Sequence, residues 1–220
     1  MSRRVANLTL DSLDHLPRPC RSCVFWELAP HNFIQAERDG QTDLEKEAWL
    51  SSVLLEWGSC GKTITIDGAP AGYALYAPPS AVPRAAAFPT SPVSPDAVLL
   101  MALRVVDGFA GGGIGRTLVQ AVVKDLTRRG VRAVEAFGDA APGRTEPASS
   151  CVIPADFLLG VGFKTVRPHP RWSRLRLELR SAITWKEDVE AALERLLSSV
   201  SIPASAAPVH ALRVRTEQPS

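Results

Sequence analysis

The sequence predicts a single α/β domain with a mixed, mostly antiparallel central sheet flanked by helices, followed by an extra C-terminal helix. Three observations lead there. Two β-rich runs flank Asp67-Gly68 in "KTITIDGAPAGYALYAPP", a hairpin signal that makes their strands antiparallel. The apolar run "AVLLMALRVV" leads into a glycine-rich stretch, a helical stretch and a further strand, "VRAVEAF", an order that implies one parallel pair. A second hairpin, "GFKTVRPHP" with "WSRLRLEL", adds two more antiparallel strands.

A chain of 220 residues suits one domain with a tail. The net charge of +2, with the arginines scattered, gives no footprint for a nucleic acid or an acidic membrane surface. "VANLTLDSLDHLP" is too polar for a signal-peptide core, and the longest apolar run, Ala97 to Leu103, is too short to span a bilayer. Four cysteines at irregular spacing do not form a disulfide framework. The expectation is a soluble, cytoplasmic protein with no nucleic-acid and no membrane partner.

In chain order, "RRVANLTL" reads as a first strand. "TDLEKEAWLSSVLLEWG" follows helical spacing, with Leu44, Ala48, Ser51 and Leu55 on one face and Gly58 beyond the end. Residues 77–96 are proline-rich and predict an ordered but irregular loop, because proline suits neither a helix interior nor a central strand. The run from Ala97 is a strand buried on both faces. A helix spans 114–129, with Leu118, Ala121, Val122 and Leu126 apolar, Lys124, Asp125 and Arg128 wet, and Gly130 as its C-cap.

The polar segment 138–150 is the most mobile internal stretch. A short helix, "IPADFLLGV", follows. "TWKEDVEAALERLLSSV" opens with a capping box, Thr184 and Glu187, and carries the stripe Trp185, Val189, Ala192, Leu193 and Leu196. The domain therefore covers 1–180. A C-terminal helix at 181–200 buries its stripe on the domain or in a homodimer, and 201–220 form a disordered tail.

"GFAGGGIGRTLVQ" is a phosphate loop by composition: glycines open a helix whose N-terminal amides and positive dipole end attract anions. Three loop types compete. The P-loop register puts Ala110 at its first glycine and Arg116 at its lysine. The dinucleotide fingerprint finds Arg116 and Leu118 at its third-glycine positions, although Glu135 sits where a ribose-binding acid is expected. An antiparallel hairpin on each side of the loop argues against a doubly wound sheet.

The third type fits the whole order. Here the chain resembles the GCN5-related N-acetyltransferases, the GNAT family. In that family [QR]-x-x-G-x-[GA] opens the central helix, and its backbone amides bind the pyrophosphate of acetyl-CoA. Gly113-Ile114-Gly115 fits the G-x-G, "LRVV" the preceding strand, and "DFLLGVGF" the late helix ending in Gly162-Phe163. The resemblance covers roughly 3 to 180.

It implies acetyl transfer from acetyl-CoA to an amine acceptor, small molecule or protein. Leu103 and Val105 bond the pantetheine arm, and Ala110, Gly111, Gly112, Gly113, Ile114, Gly115, Arg116 and Thr117 surround the pyrophosphate. Two positions depart from the pattern: Ala110 stands at the [QR] site, and Leu158 stands where many members carry a general-acid tyrosine.

Acetyl transfer is assisted by a base titrating near neutral pH. Glu135, on a central strand beside the cleft, is the leading candidate if it faces the cleft; the alternative is that it faces out or pairs with an arginine. Glu27, in "CVFWELAPHNF", is the second, against a reading in which Phe25 and Trp26 anchor the loop and Glu27 is wet. Cys20 and Cys23 have the C-x2-C spacing of a zinc or redox pair, and need Cys60, Cys151 or His31 to complete a site. Two alternatives accompany acetyl transfer: a non-catalytic acyl-CoA-binding sensor, and a zinc- or thiol-dependent interaction protein using Cys20 and Cys23.

Overall fold

The computed structural model describes residues 2–141 and 151–179. Of the sequence expectations, most of the 138–150 segment, the 181–200 helix with its dimer reading and the 201–220 tail lie outside these residues. Eight strands form one sheet. They are β1 (Arg3–Asn7), β2 (Gly61–Ile66), β3 (Ala69–Ala77), β4 (Ala97–Val105), β5 (Ala133–Asp139), β6 (Ile153–Pro154), β7 (Lys164–Arg167) and β8 (Trp172–Glu178). Their order is β1-β2-β3-β4-β5-β8-β7, with β6 alongside β5.

The predicted hairpins form. Asp67 and Gly68 both take positive φ, 48° and 84°, the backbone that a tight two-residue hairpin turn requires. β7 and β8 pair antiparallel through a turn in which His169 Nδ1 accepts from the amides of Arg171 and Trp172. β4 and β5 run parallel, joined over the sheet by α4 (Ile114–Arg128).

Strand alternation gives the sheet two cores, one on each face. On one face Leu118, Val122 and Leu126 of α4 meet Val98, Leu100, Val134 and Ala136. On the other, Leu99, Met101, Ala133 and Phe137 meet Leu50 and Val53 of α3 (Thr42–Glu56) and the segment holding α1 (Arg18–Arg21). Each fully buried Leu or Val contributes roughly 1.5–3 kcal/mol. α2 (Pro30–Asp39) ends at Gly40 in the left-handed conformation and leads into α3; α5 (Ala155–Gly160) follows β6.

The proline-rich loop is held in place, as expected. Phe88 stacks on Phe137 at 4.3 Å and on Trp26 at 5.1 Å, while Thr90 Oγ1 donates to the Trp172 carbonyl.

Two helix faces differ from expectation, each because an ion pair overrides hydrophobicity. In α3, Leu44 and Leu55 are exposed, at 62% and 84%, and Lys46, Leu50 and Val53 are buried. Lys46 Nζ bonds the buried Glu27 carboxylate and the Cys23 carbonyl, which turns the helix's inner face toward it. In α4, Asp125 is buried rather than wet. It accepts from Tyr76 Oη at 2.9 Å and pairs with Lys62 at 3.1 Å. Burial pushes its pKa up, but the bonds from Tyr76 and Lys62 outweigh that and hold it below the usual carboxylate value.

Candidate active site

β4 and β5 are paired only at Ala97↔Ala133, Val98↔Val134 and Leu99↔Glu135. β4 then runs on along β3 to Val105, while β5 takes up β6 at Gly138 and Asp139. The sheet is forked from Leu99 onward. The Val106 amide donates to the Ala71 carbonyl on the β3 side. Since strand amides alternate between edges, those of Leu103 and Val105 turn toward the fork.

On the α4 face the fork opens into a cavity of about 480 Å³, within the range of small-molecule sites. Leu103 and Val105 line one wall, Ile153 and Phe157 the other, and the glycine loop its end. Gly113 is the N-cap of α4, with φ of 73° and no side-chain cap. The first helical bond runs from the Thr117 amide to the Gly113 carbonyl, so the amides of Ile114, Gly115 and Arg116 have no partner inside the helix.

Nothing lies within 4 Å of where a Cβ on Gly113 would be, whereas one on Gly115 would meet the Phe157 ring at 2.9 Å. The loop thus presents bare backbone to the cavity while Phe157 packs against it. Ala110, Gly111 and Arg116 also line it. Arg116 donates to the Gly160 carbonyl at 3.0 Å, and the Thr117 hydroxyl bonds back to Gly113.

On the opposite face, a second cavity of about 420 Å³ is lined by Cys20, Cys23, Phe25, Phe33, Arg104 and Cys151, among others. Arg104 adjoins Leu103, and Cys151 lies two residues before Ile153. The two cavities therefore flank one gap in the sheet from opposite sides.

The Acetyltransferase (GNAT) family profile matches residues 16–144, more than half of the chain. This chain belongs to the GNAT acetyltransferase family. No curated protein matches its sequence. Several solved structures share the fold. The PaiA N-acetyltransferase of Thermoplasma acidophilum, in complex with coenzyme A, is 12% identical with a TM-score of 0.52, over 81% of this chain and 99% of that one. An N-acetyltransferase of Staphylococcus aureus Mu50 is 15% identical, with a TM-score of 0.53 over 81% and 99%. YncA of Salmonella typhimurium, a putative acetyltransferase solved with acetyl-CoA, is 16% identical, with a TM-score of 0.53 over 81% and 95%.

Several features of this GNAT domain bear on its chemistry. Leu158 is fully buried in the core on the α4 face, and the α5 side chain that reaches the cavity is Phe157. Glu135, the leading base candidate, takes instead the alternative the sequence left open for it: it is fully buried and paired with arginines. It pairs with Arg174 at 3.1 Å and Arg176 at 3.2 Å, and accepts from the Ser94 amide. Alternation turns it to the face opposite α4, where β8 supplies both guanidinium groups. Glu27 likewise does not open onto the cavity, and neither is it wet: Lys46 and the Trp26 amide occupy its oxygens.

Of the three residues that the sequence offered as partners for the C-x2-C pair, the fold brings Cys151 to Cys23. Cys23 Sγ and Cys151 Sγ lie 3.1 Å apart, 128 residues distant in sequence. The bond from Cys151 lowers the Cys23 pKa to about 7 against the opposing effect of burial, and it raises that of Cys151. Burial pushes the Tyr73 hydroxyl well above its ordinary range, and Cys20 adds to that. Among the described residues, no cluster of three His, Cys, Asp or Glu side chains is arranged to hold a metal ion, so the zinc reading of Cys20 and Cys23 is not favoured. Nor is any described helix long and apolar enough to cross a membrane.

Proposed function

We propose that this domain, residues 1–180, transfers an acetyl group from acetyl-CoA to an amine acceptor, and that the fork joins a donor side to an acceptor side. The observation that carries the reading is the pair of cavities flanking one gap. The glycine-loop cavity suits the donor: three unpartnered amides and a helix dipole attract the pyrophosphate. The free edge of β4 at Leu103 and Val105 offers strand-like bonds to the pantetheine arm, and apolar walls exclude water. The solved relatives whose structures contain coenzyme A or acetyl-CoA share this fold.

The opposite cavity suits the acceptor, because an amine entering there approaches a thioester lying in the gap from the other side. Attack forms the amide and releases CoA as its thiolate, so the amine must be neutral when it attacks. Glu135 and Glu27 are tied up in ion pairs, and a proton acceptor titrating near pH 7 suits the task. Cys23, with its pKa of about 7 and its place in the acceptor wall, takes that role here. The four free thiols fit a reducing compartment such as the cytoplasm.

The test is mass-spectrometric detection of acetylated product and free CoA across a panel of amines. Product should form with the wild type, fall sharply with Cys23→Ala, and vanish with Gly113→Glu. Tight acetyl-CoA binding without product from any amine would instead favour the non-catalytic acyl-CoA-binding reading.

A further inference from the structure

The acceptor cavity contains an arginine that the domain does not use for itself. Several arginines of the sheet and of the elements beside it are engaged. Arg174 and Arg176 hold Glu135, Arg171 pairs with Asp139, and Arg129 pairs with Asp125 and donates to the Trp57 and Ser59 carbonyls. Arg104 is half-buried on β4 opposite Tyr73 and lines the acceptor cavity, and its guanidinium has no ion pair or hydrogen bond to any described residue. Partly desolvating a guanidinium without a counter-charge costs stability, and a bound anion offsets that cost.

We propose, resting on the acetyl-transfer reading above, that the acceptor is a small amine bearing its own carboxylate, an amino acid with an apolar side chain, and that Arg104 receives the carboxylate. The planar guanidinium fork matches a carboxylate through two parallel bonds. Its position fixes the geometry. Arg104 lies between Leu103 and Val105, whose amides face the fork, so a carboxylate seated on it holds an α-amine within a small molecule's length of the gap.

Phe25 and Phe33 supply apolar wall for the side chain, and the cavity volume suits a single small molecule. Among the described residues, the one carboxylate in the lining is Glu37, which is exposed on α2 and makes no ion pair with Arg104. A second guanidinium, Arg84, lies 4.3 Å over the Phe25 ring and adds to the positive potential beside the cavity.

The experiment uses the full chain, saturated with acetyl-CoA, and a panel of apolar amino acids with their amides and decarboxylated amines, phenylalanine, phenylalaninamide and phenethylamine among them. At least one amino acid should be acetylated with a kcat/KM about tenfold or more above its amide, the scale of one charge-assisted bidentate contact. Arg104→Gln should remove that preference through KM, lowering kcat/KM for the acid far more than for its amide or decarboxylated amine, and Arg104→Lys should restore part of it.

Calorimetric binding of the same amino acids to the CoA-loaded protein reads the site independently of turnover. Amides or decarboxylated amines used as well as the acids, or an Arg104→Gln variant that slows all acceptors equally, would overturn the inference and leave acetyl transfer standing. Failure to bind any amino acid in the CoA-loaded state would overturn it too. A wild type that does not bind acetyl-CoA would instead overturn the acetyl-transfer reading on which it rests.

Discussion

The two sides of the fork are built by different means. On the α4 side the cavity is built from backbone amides, glycines and apolar walls, contributed largely by one continuous stretch, 103–116. On the other side it is built from thiols, two phenylalanines and a guanidinium, gathered from residues 19–42, 104 and 151. Backbone recognition suits a donor with the same pyrophosphate in every turnover. Side-chain recognition lets one fold be matched to a particular acceptor. The ion pairs that hold the acceptor side together, Glu27 with Lys46 and Glu135 with Arg174 and Arg176, are framework for that wall.

Substitutions should separate the two sides. The largest effect is expected at Glu27→Leu, which leaves Lys46 charged and unpaired in the core. Stability should fall by about 3–5 kcal/mol in urea unfolding, and Lys46→Met in the same chain should recover most of the loss. Acetyl-CoA affinity measured below the transition should not change, because the damage lies on the acceptor side.

Next in size is Gly113→Glu. It places a carboxylate where the pyrophosphate is expected and adds about 1–2 kcal/mol of left-handed backbone strain. Calorimetry should show acetyl-CoA affinity falling by about 100-fold or more, with circular dichroism unchanged.

The thiols sharpen the comparison further. Alkylation followed by mass spectrometry should give a half-maximal rate for Cys23 near pH 7, while Cys60, whose thiol burial pushes up to about 12, stays unmodified below pH 9. Cys151→Ala should move the Cys23 midpoint upward by removing the bond that lowers it. An unshifted midpoint would show that the pair is not coupled. The smallest effect is expected at Ala110→Gln, which supplies the side chain that the family pattern carries there. A single added hydrogen bond should tighten acetyl-CoA by roughly threefold.

The glycine-loop cavity was legible in the sequence because its signals are local. The glycine spacing, the strand before it and the helix after it all fall within one stretch. The hairpins announced themselves through Asp67-Gly68 and through the β-rich runs around His169.

The opposite cavity was not legible in the same way. No spacing rule connects Cys23 with Cys151, and alternation alone could not say that β8 would bring two arginines to Glu135. The inner face of α3 was misread for a related reason. Leu44 and Leu55 match the helical period, but a buried Glu27, supplied by a segment that comes before the helix, draws Lys46 inward instead. Periodicity reports hydrophobic burial; it does not report a charge that its partner makes burial tolerable for.

The central claim is that acetyl-CoA occupies the α4 side of the fork and leaves the opposite cavity to the acceptor. Hydrogen–deuterium exchange of the full chain, with and without saturating acetyl-CoA, tests it most directly. The account predicts slowed exchange at the amides of Leu103 and Val105 and across 111–117, with little change across 20–25. Protection confined to 20–25, or none at the glycine loop while acetyl-CoA is bound, would contradict it.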